Sequence, residues 1–144
     1  EPKLEWHPFF KHEVVLVVGK NHPLAQKDSI TLQELKQQEF VAREKTSGTW
    51  MVVREELQAK GFSSSDLKIN MEIGSTRAVI TAVEAGLGLS WVSRLAVQDA
   101  LRLGLLKELP VEDLKIQRDL YLTYNKKKTL SPLAQEFIEH ILNK

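Results

Sequence analysis

Apolar residues along this chain switch repeatedly between a strand-like and a helix-like period. Val14-Val15-Leu16-Val17-Val18 is a continuous β-branched run closed by Gly19, which predicts a central strand of a parallel sheet. Thr31-Leu32-Gln33-Glu34 is a capping-box sequence, so a short helix is expected from there to about Gln37. Phe40 to Arg43 reads as a second strand. Beyond it Trp50, Val53 and Leu57 recur at helical spacing, with Gly61 as the stop. Ser63 to Asp66 is a polar, solvated loop. Leu67 to Ile73 alternates strictly, the pattern of a strand with one face on a core. A helical stripe of Val79, Ile80, Val83 and Leu87 follows, halted by Gly86 and Gly88. Leu89 to Val92 is the next strand, and Ser93 is the expected cap of a helix ending near Gly104. Leu105 to Val111 gives a short strand closing at Pro110, and Leu120 to Tyr124 the last one. Ser131-Pro132 then opens a final helix with Ala134, Phe137, Ile138, Ile141 and Leu142 on one face.

Alternation of strand and helix predicts a three-layer α/β fold with a mostly parallel sheet. Ligands of such sheets bind beyond the carboxyl ends of the strands, beside helix N-termini. Two turns of that kind are rich in hydroxyls: Thr46-Ser47-Gly48-Thr49, after the second strand, and Gly74-Ser75-Thr76, after the third. The first N–H groups of a helix have no intrahelical partner and carry the positive end of its dipole. Hydroxyls there either cap the helix or share those donors with a bound anion, and the sequence leaves both roles open.

Composition narrows the chemistry. The chain has 144 residues, 42% apolar and 27% charged, ordinary for a globular domain. A formal charge of +1 gives no general electrostatic reason to bind nucleic acid or anionic lipid. Absence of cysteine excludes disulfides, thiolate catalysis and cysteine-ligated zinc. His7, His12, His22 and His140 are scattered, and neither a GxSxG elbow nor a phosphate-loop pattern is present. His12-Glu13 lacks a third ligand at helical spacing, so no metal and no cofactor is expected. Lys126 to Lys128 reads as a solvated turn. No general acid–base pair can be named, and an enzyme is not expected. Pro2, Trp6, Pro8, Phe9 and Phe10 suggest an extended opening segment lying on something apolar.

The order PFF-x-x-E-VVLVV, HPLA, REKTSGT, GSTRAVITAVEAGLGLSWVSRLAV, LPV and LSPLAQEFIEHIL resembles the effector-binding region of LysR-type transcriptional regulators over essentially the whole chain. The resemblance implies a periplasmic-binding-protein-like (type II) fold, in which two α/β subdomains joined by crossing strands hold a small effector between them. Residues 1–11 would then be a crossing segment, 12–116 subdomain II, and 117–144 a crossing strand plus a helix returning to subdomain I. The family's N-terminal helix-turn-helix and the first part of its subdomain I have no counterpart in this sequence, which is therefore expected to be a fragment and not itself to read DNA. Carried over residue by residue, the ligand turn falls on Thr46, Ser47, Gly48 and Thr49. Arg43 would add charge, and Ser75 and Thr76 would line the cleft or serve as caps.

The expected partner is a small carboxylate, phosphate or sulfate, with a homo-oligomeric assembly, no membrane association and a cytoplasmic location. The final helix and the first ten residues, left without their subdomain I partners, are expected to promote self-association. The alternative is an extracytoplasmic solute-binding protein of a transporter, which shares the fold class but delivers its ligand elsewhere.

Overall fold

β1, Glu5–Gly19, is the spine of the molecule, because every other strand of the main sheet is reached through it. The computed structural model describes residues 5–124, with side chains described over 12–117. β1 pairs antiparallel with β4 (Ser90–Ser93), Val14 opposite Ser93 and Val17 opposite Ser90. On its other edge it pairs antiparallel with β5 (Leu106–Glu108) and, further toward its start, with β6 (Ile116–Tyr124). β2 (Glu39–Arg43) and β3 (Lys68–Ile73) form a parallel pair. Two backbone bonds join that pair to β4 in parallel: Val41 N–H to the Leu89 carbonyl at 2.8 Å and Leu89 N–H to the Glu39 carbonyl at 2.9 Å.

β2, β3, β4 and β5 thus all run one way, and β1 runs against them. The expectation of a parallel central strand at Val14–Val18 is corrected: the strand is central but antiparallel to each neighbour. A continuous apolar run reports burial on both faces, and strand direction leaves no mark in it.

Each face of the sheet carries its own core. Val14, Leu16 and Val18 point to one side, where Phe40, Trp91 and the inner stripe of α2 (Gly48–Ala59: Trp50, Val53, Leu57) pack on them. Val15 and Val17 point to the other, against Val79 and Val83 of α3 (Thr76–Glu84) and Val97 of α4 (Arg94–Arg102). Val17 and Val18 are fully enclosed, each worth about 1.5–3 kcal/mol of burial. The three layers expected of an α/β domain are present.

Local details follow the sequence in part. Thr31 and Glu34 form the complete capping box on α1, Leu32–Leu35, which is shorter than expected. Ser63 to Asp66 is not a plain loop but a single 3-10 turn capped by the Ser63 hydroxyl. β3 fails the expectation of one buried face. It is an edge strand, with Ile69 and Met71 39% and 41% exposed, and only Leu67 ahead of it is buried. Leu87, assigned to the buried stripe of α3, is 49% exposed in the turn beyond the helix. The final helix and the Lys126–Lys128 turn lie outside the described residues.

Candidate functional site

The carboxyl ends of β2, β3 and β4 converge at one end of the sheet, and the reversed direction of β1 brings His12 and Glu13 to the same end. The turn between β2 and α2 is closed twice by its own backbone. Ser47 N–H donates to the Glu44 carbonyl, and Met51 N–H makes the first helical bond to the Ser47 carbonyl, both at 2.9 Å. Arg54 adds a bond from Nη2 to the Lys45 carbonyl at 2.6 Å. The N–H groups of Gly48, Thr49 and Trp50 therefore lie ahead of the helical ladder, at the positive end of α2. Ser47, Gly48 and Thr49 are buried, whereas Thr46 is exposed.

The two hydroxyl-rich turns differ in a way the sequence did not decide. Ser75 caps α3, its Oγ accepting from Ala78 N–H at 3.3 Å. Ser47 stands at the same position of α2 in extended conformation, and its side chain makes no cap bond. Ser93, expected to cap α4, makes none either. Thr76 Oγ1 accepts from Arg43 Nη1 at 2.7 Å, and Arg43 Nη2 meets Glu44 Oε1 at 2.6 Å. The Arg43 guanidinium holds the Glu44 carboxyl below the usual glutamate range. Of the expected site residues, then, Ser47, Gly48 and Thr49 gather at the α2 N-terminus. Ser75 is a cap, and Arg43 and Thr76 join the two turns.

Three features escaped the sequence reading. Trp50 is fixed by Trp91, whose ring it meets edge-on at 5.7 Å, while Trp91 stacks on Phe40 at 5.2 Å. That aromatic wall anchors the first turn of α2, and no local pattern pairs residues so far apart in sequence. His12 is 3% exposed at the site end of β1. Its even spacing from Val14 and Leu16 was the available signal that it faces the first core. Arg94 bridges Glu13 at 3.2 Å and Glu108 at 2.8 Å, which raises its pKa, mainly through Glu108. A cavity of about 320 Å³ opens beside Arg94, lined also by Leu16 of β1, Trp91, Leu109 and Ile116. It includes none of residues 43–49 or 74–76. Among the described residues no group of three or more His, Asp or Glu could hold a metal ion.

The family model for the LysR substrate binding domain matches residues 1–144. An HTH-type transcriptional regulator of Methanocaldococcus jannaschii is 38% identical over 131 residues, which is 91% of this chain and 44% of that protein. The HTH-type transcriptional activator CmpR of Synechocystis is 36% identical over 135 residues, 92% of this chain and 43% of the relative. The chain thus spans less than half the length of these relatives. The regulatory domain of Synechocystis CcmR, solved with 2-PG, superposes with a TM-score of 0.72 at 27% identity, covering 98% of this chain and 66% of that one. The effector-binding domain of QuiR, solved with shikimate, gives 0.68 at 28% identity, covering 99% and 66%. With its order of strands and helices and a family match along its whole length, the chain belongs to the LysR substrate-binding domain family.

Proposed function

We propose that this chain is the effector-sensing part of a DNA-binding transcription regulator, and that it takes a small anionic metabolite at the N-terminus of α2. One observation carries the reading: Ser47 precedes the helix without capping it, beside the leading N–H groups of Gly48, Thr49 and Trp50. Helix N-termini of this kind suit carboxylate, phosphate or sulfate, because oriented N–H groups and the helix dipole act together. Complexes of the CcmR and QuiR domains with 2-PG and with shikimate, a carboxylate, support a small effector of that class. Residues 12–116 act as subdomain II, with the part of β1 before residue 12 and the part of β6 after residue 116 as the crossing segments. The effector biases the orientation of the two subdomains, and through it the spacing of DNA-reading domains elsewhere.

The regulator works in the cytoplasm and as a homo-oligomer, and the exposed Ile69 and Met71 of the edge strand offer an apolar surface for self-association. Among the described residues no helix is long and apolar enough to cross a membrane. The named relatives are transcription regulators, which favours sensing over delivery to a transporter.

The test is a titration of the full-length protein with 2-PG, shikimate, phosphate and sulfate. The readouts are calorimetry and the unfolding midpoint, which a native-state ligand raises by mass action. Ser47→Ala combined with Thr49→Val should weaken the binding anion about tenfold or more, the scale of hydrogen bonds to a charged group. Unchanged affinity in that double variant would remove the α2 N-terminus as the site.

A further inference from the structure

We infer that Arg43 is a positioning residue, joining the β2–α2 turn to the β3–α3 turn so that the leading N–H groups of α2 are held in one geometry. The inference rests on the effector reading above and assigns Arg43 and Thr76 a role behind the site instead of on the anion.

Arg43 closes the parallel ladder between β2 and β3, opposite Ile73. From that rung its guanidinium reaches both ways. Nη1 donates to Thr76 Oγ1 at 2.7 Å, across 33 residues of sequence, and Nη2 donates to Glu44 Oε1 at 2.6 Å. A planar fork with separate nitrogens can serve two acceptors at once, which an ammonium on a flexible stem reproduces poorly.

The acceptors are consequential. Thr76 is the first residue of α3, directly after its Ser75 cap. Glu44 supplies the carbonyl that receives Ser47 N–H, so its backbone shapes the turn while its side chain is tethered. Gly74 completes the arrangement: a Cβ there would stand 3.3 Å from Glu44 Oε2, tighter than ordinary contact.

The tie also settles an electrostatic conflict. Glu44 places a carboxylate in the turn that leads to a proposed anion site, where an unpaired negative charge would oppose the ligand. Pairing with Arg43 offsets that charge locally. The guanidinium is thereby engaged with Glu44 and Thr76, and the ligand is met by N–H groups and hydroxyls.

Hydrogen–deuterium exchange of the full-length protein tests this, alone and with 2-PG or phosphate, in wild type, Arg43→Met, Arg43→Lys and Thr76→Val. The decisive variant is Thr76→Val, which removes one hydroxyl from the β3–α3 turn. It should speed exchange at Ser47 and Met51, in the other turn, on the order of tenfold, about 1.4 kcal/mol of local opening. Arg43→Met should do the same in both turns, and Arg43→Lys should not restore both. Unaltered exchange at 47–51 in Thr76→Val, or full restoration by lysine, would overturn the tie. Linked exchange without protection of 47–51 by 2-PG or phosphate would leave the tie standing and remove the α2 N-terminus as the anion site.

Discussion

Gly19 ends the buried part of β1 where the sheet meets the last turn of α3, and replacing it with alanine gives a sharp test of how closely the two approach. A Cβ built at Gly19 stands 2.6 Å from the Val83 carbonyl oxygen and 3.3 Å from that of Glu84. Reaching the ordinary contact range, which starts at 3.4 Å, requires a retreat of about 0.8 Å. Both neighbours are backbone, so no rotamer change can relieve the contact. The Val83 carbonyl is further fixed by the Gly86 N–H at 3.0 Å, and the Val83 side chain is fully buried in the second core. Forced overpacking of this kind costs about 1–3 kcal/mol. Against it, losing a glycine stabilises by about 0.4–1 kcal/mol through the unfolded chain. The net expectation for Gly19→Ala is destabilisation, about 1.3 kcal/mol at the middle of the two ranges and at most about 2.6 kcal/mol. Urea unfolding followed by tryptophan fluorescence should show a lower midpoint at unchanged slope. Faster exchange of the Gly86 amide would identify the α3 terminus as the element that yields. A midpoint equal to or above wild type would refute the close approach of β1 to α3.

Substitutions at two further sites probe the core and the surface. Trp91→Ala should cost about 3–5 kcal/mol, since the ring is 2% exposed and holds both Phe40 and Trp50. Trp91→Phe should cost less, and equal losses in the two variants would argue against the stack as the source. Glu34 has its carboxyl pKa lowered to about 2, chiefly by the hydrogen bond from the Lys27 ammonium and then by the Thr31 backbone N–H. A depressed folded-state pKa gives stabilisation that is present above the ordinary glutamate value and is lost as pH falls toward about 2. Lys27→Met should move the Glu34 midpoint back up in a carboxyl NMR titration, and an unmoved midpoint would contradict the assigned cause.

Much of the fold could be read along the chain because local signals dominate there. The Thr31–Glu34 capping box, the stripe of Trp50, Val53 and Leu57, and the stop at Gly61 each depend on residues a few positions apart. What escaped depended on partners far away. The direction of β1 is set by β4, more than 70 positions on, and an apolar run looks the same either way. Alternation in β3 predicted a buried face, but its place at the sheet edge exposes Ile69 and Met71. The site shows the same division. Ser47 and Ser75 occupy equivalent positions after a strand, yet only Ser75 caps its helix. Arg43 and Thr76 were legible as polar residues near a cleft, while their contact with each other was not.

The reversal of β1 has a mechanical consequence. Because β1 opposes its neighbours and pairs with β6 from Val14 down to Glu5, the chain enters and leaves side by side, at the end that carries the α2 N-terminus. Among the described residues, the turns at 86–88 and 103–105 lie at the opposite end of the sheet, away from both of these segments. The domain is suspended like a bell from two adjacent cords at its mouth. If 12–116 is a subdomain as proposed, a piece cut out at 12 and 117 should keep a cooperative unfolding transition, and its loss would count against those boundaries. A dye or a small inserted domain at the far turns should leave the end that carries the α2 N-terminus untouched.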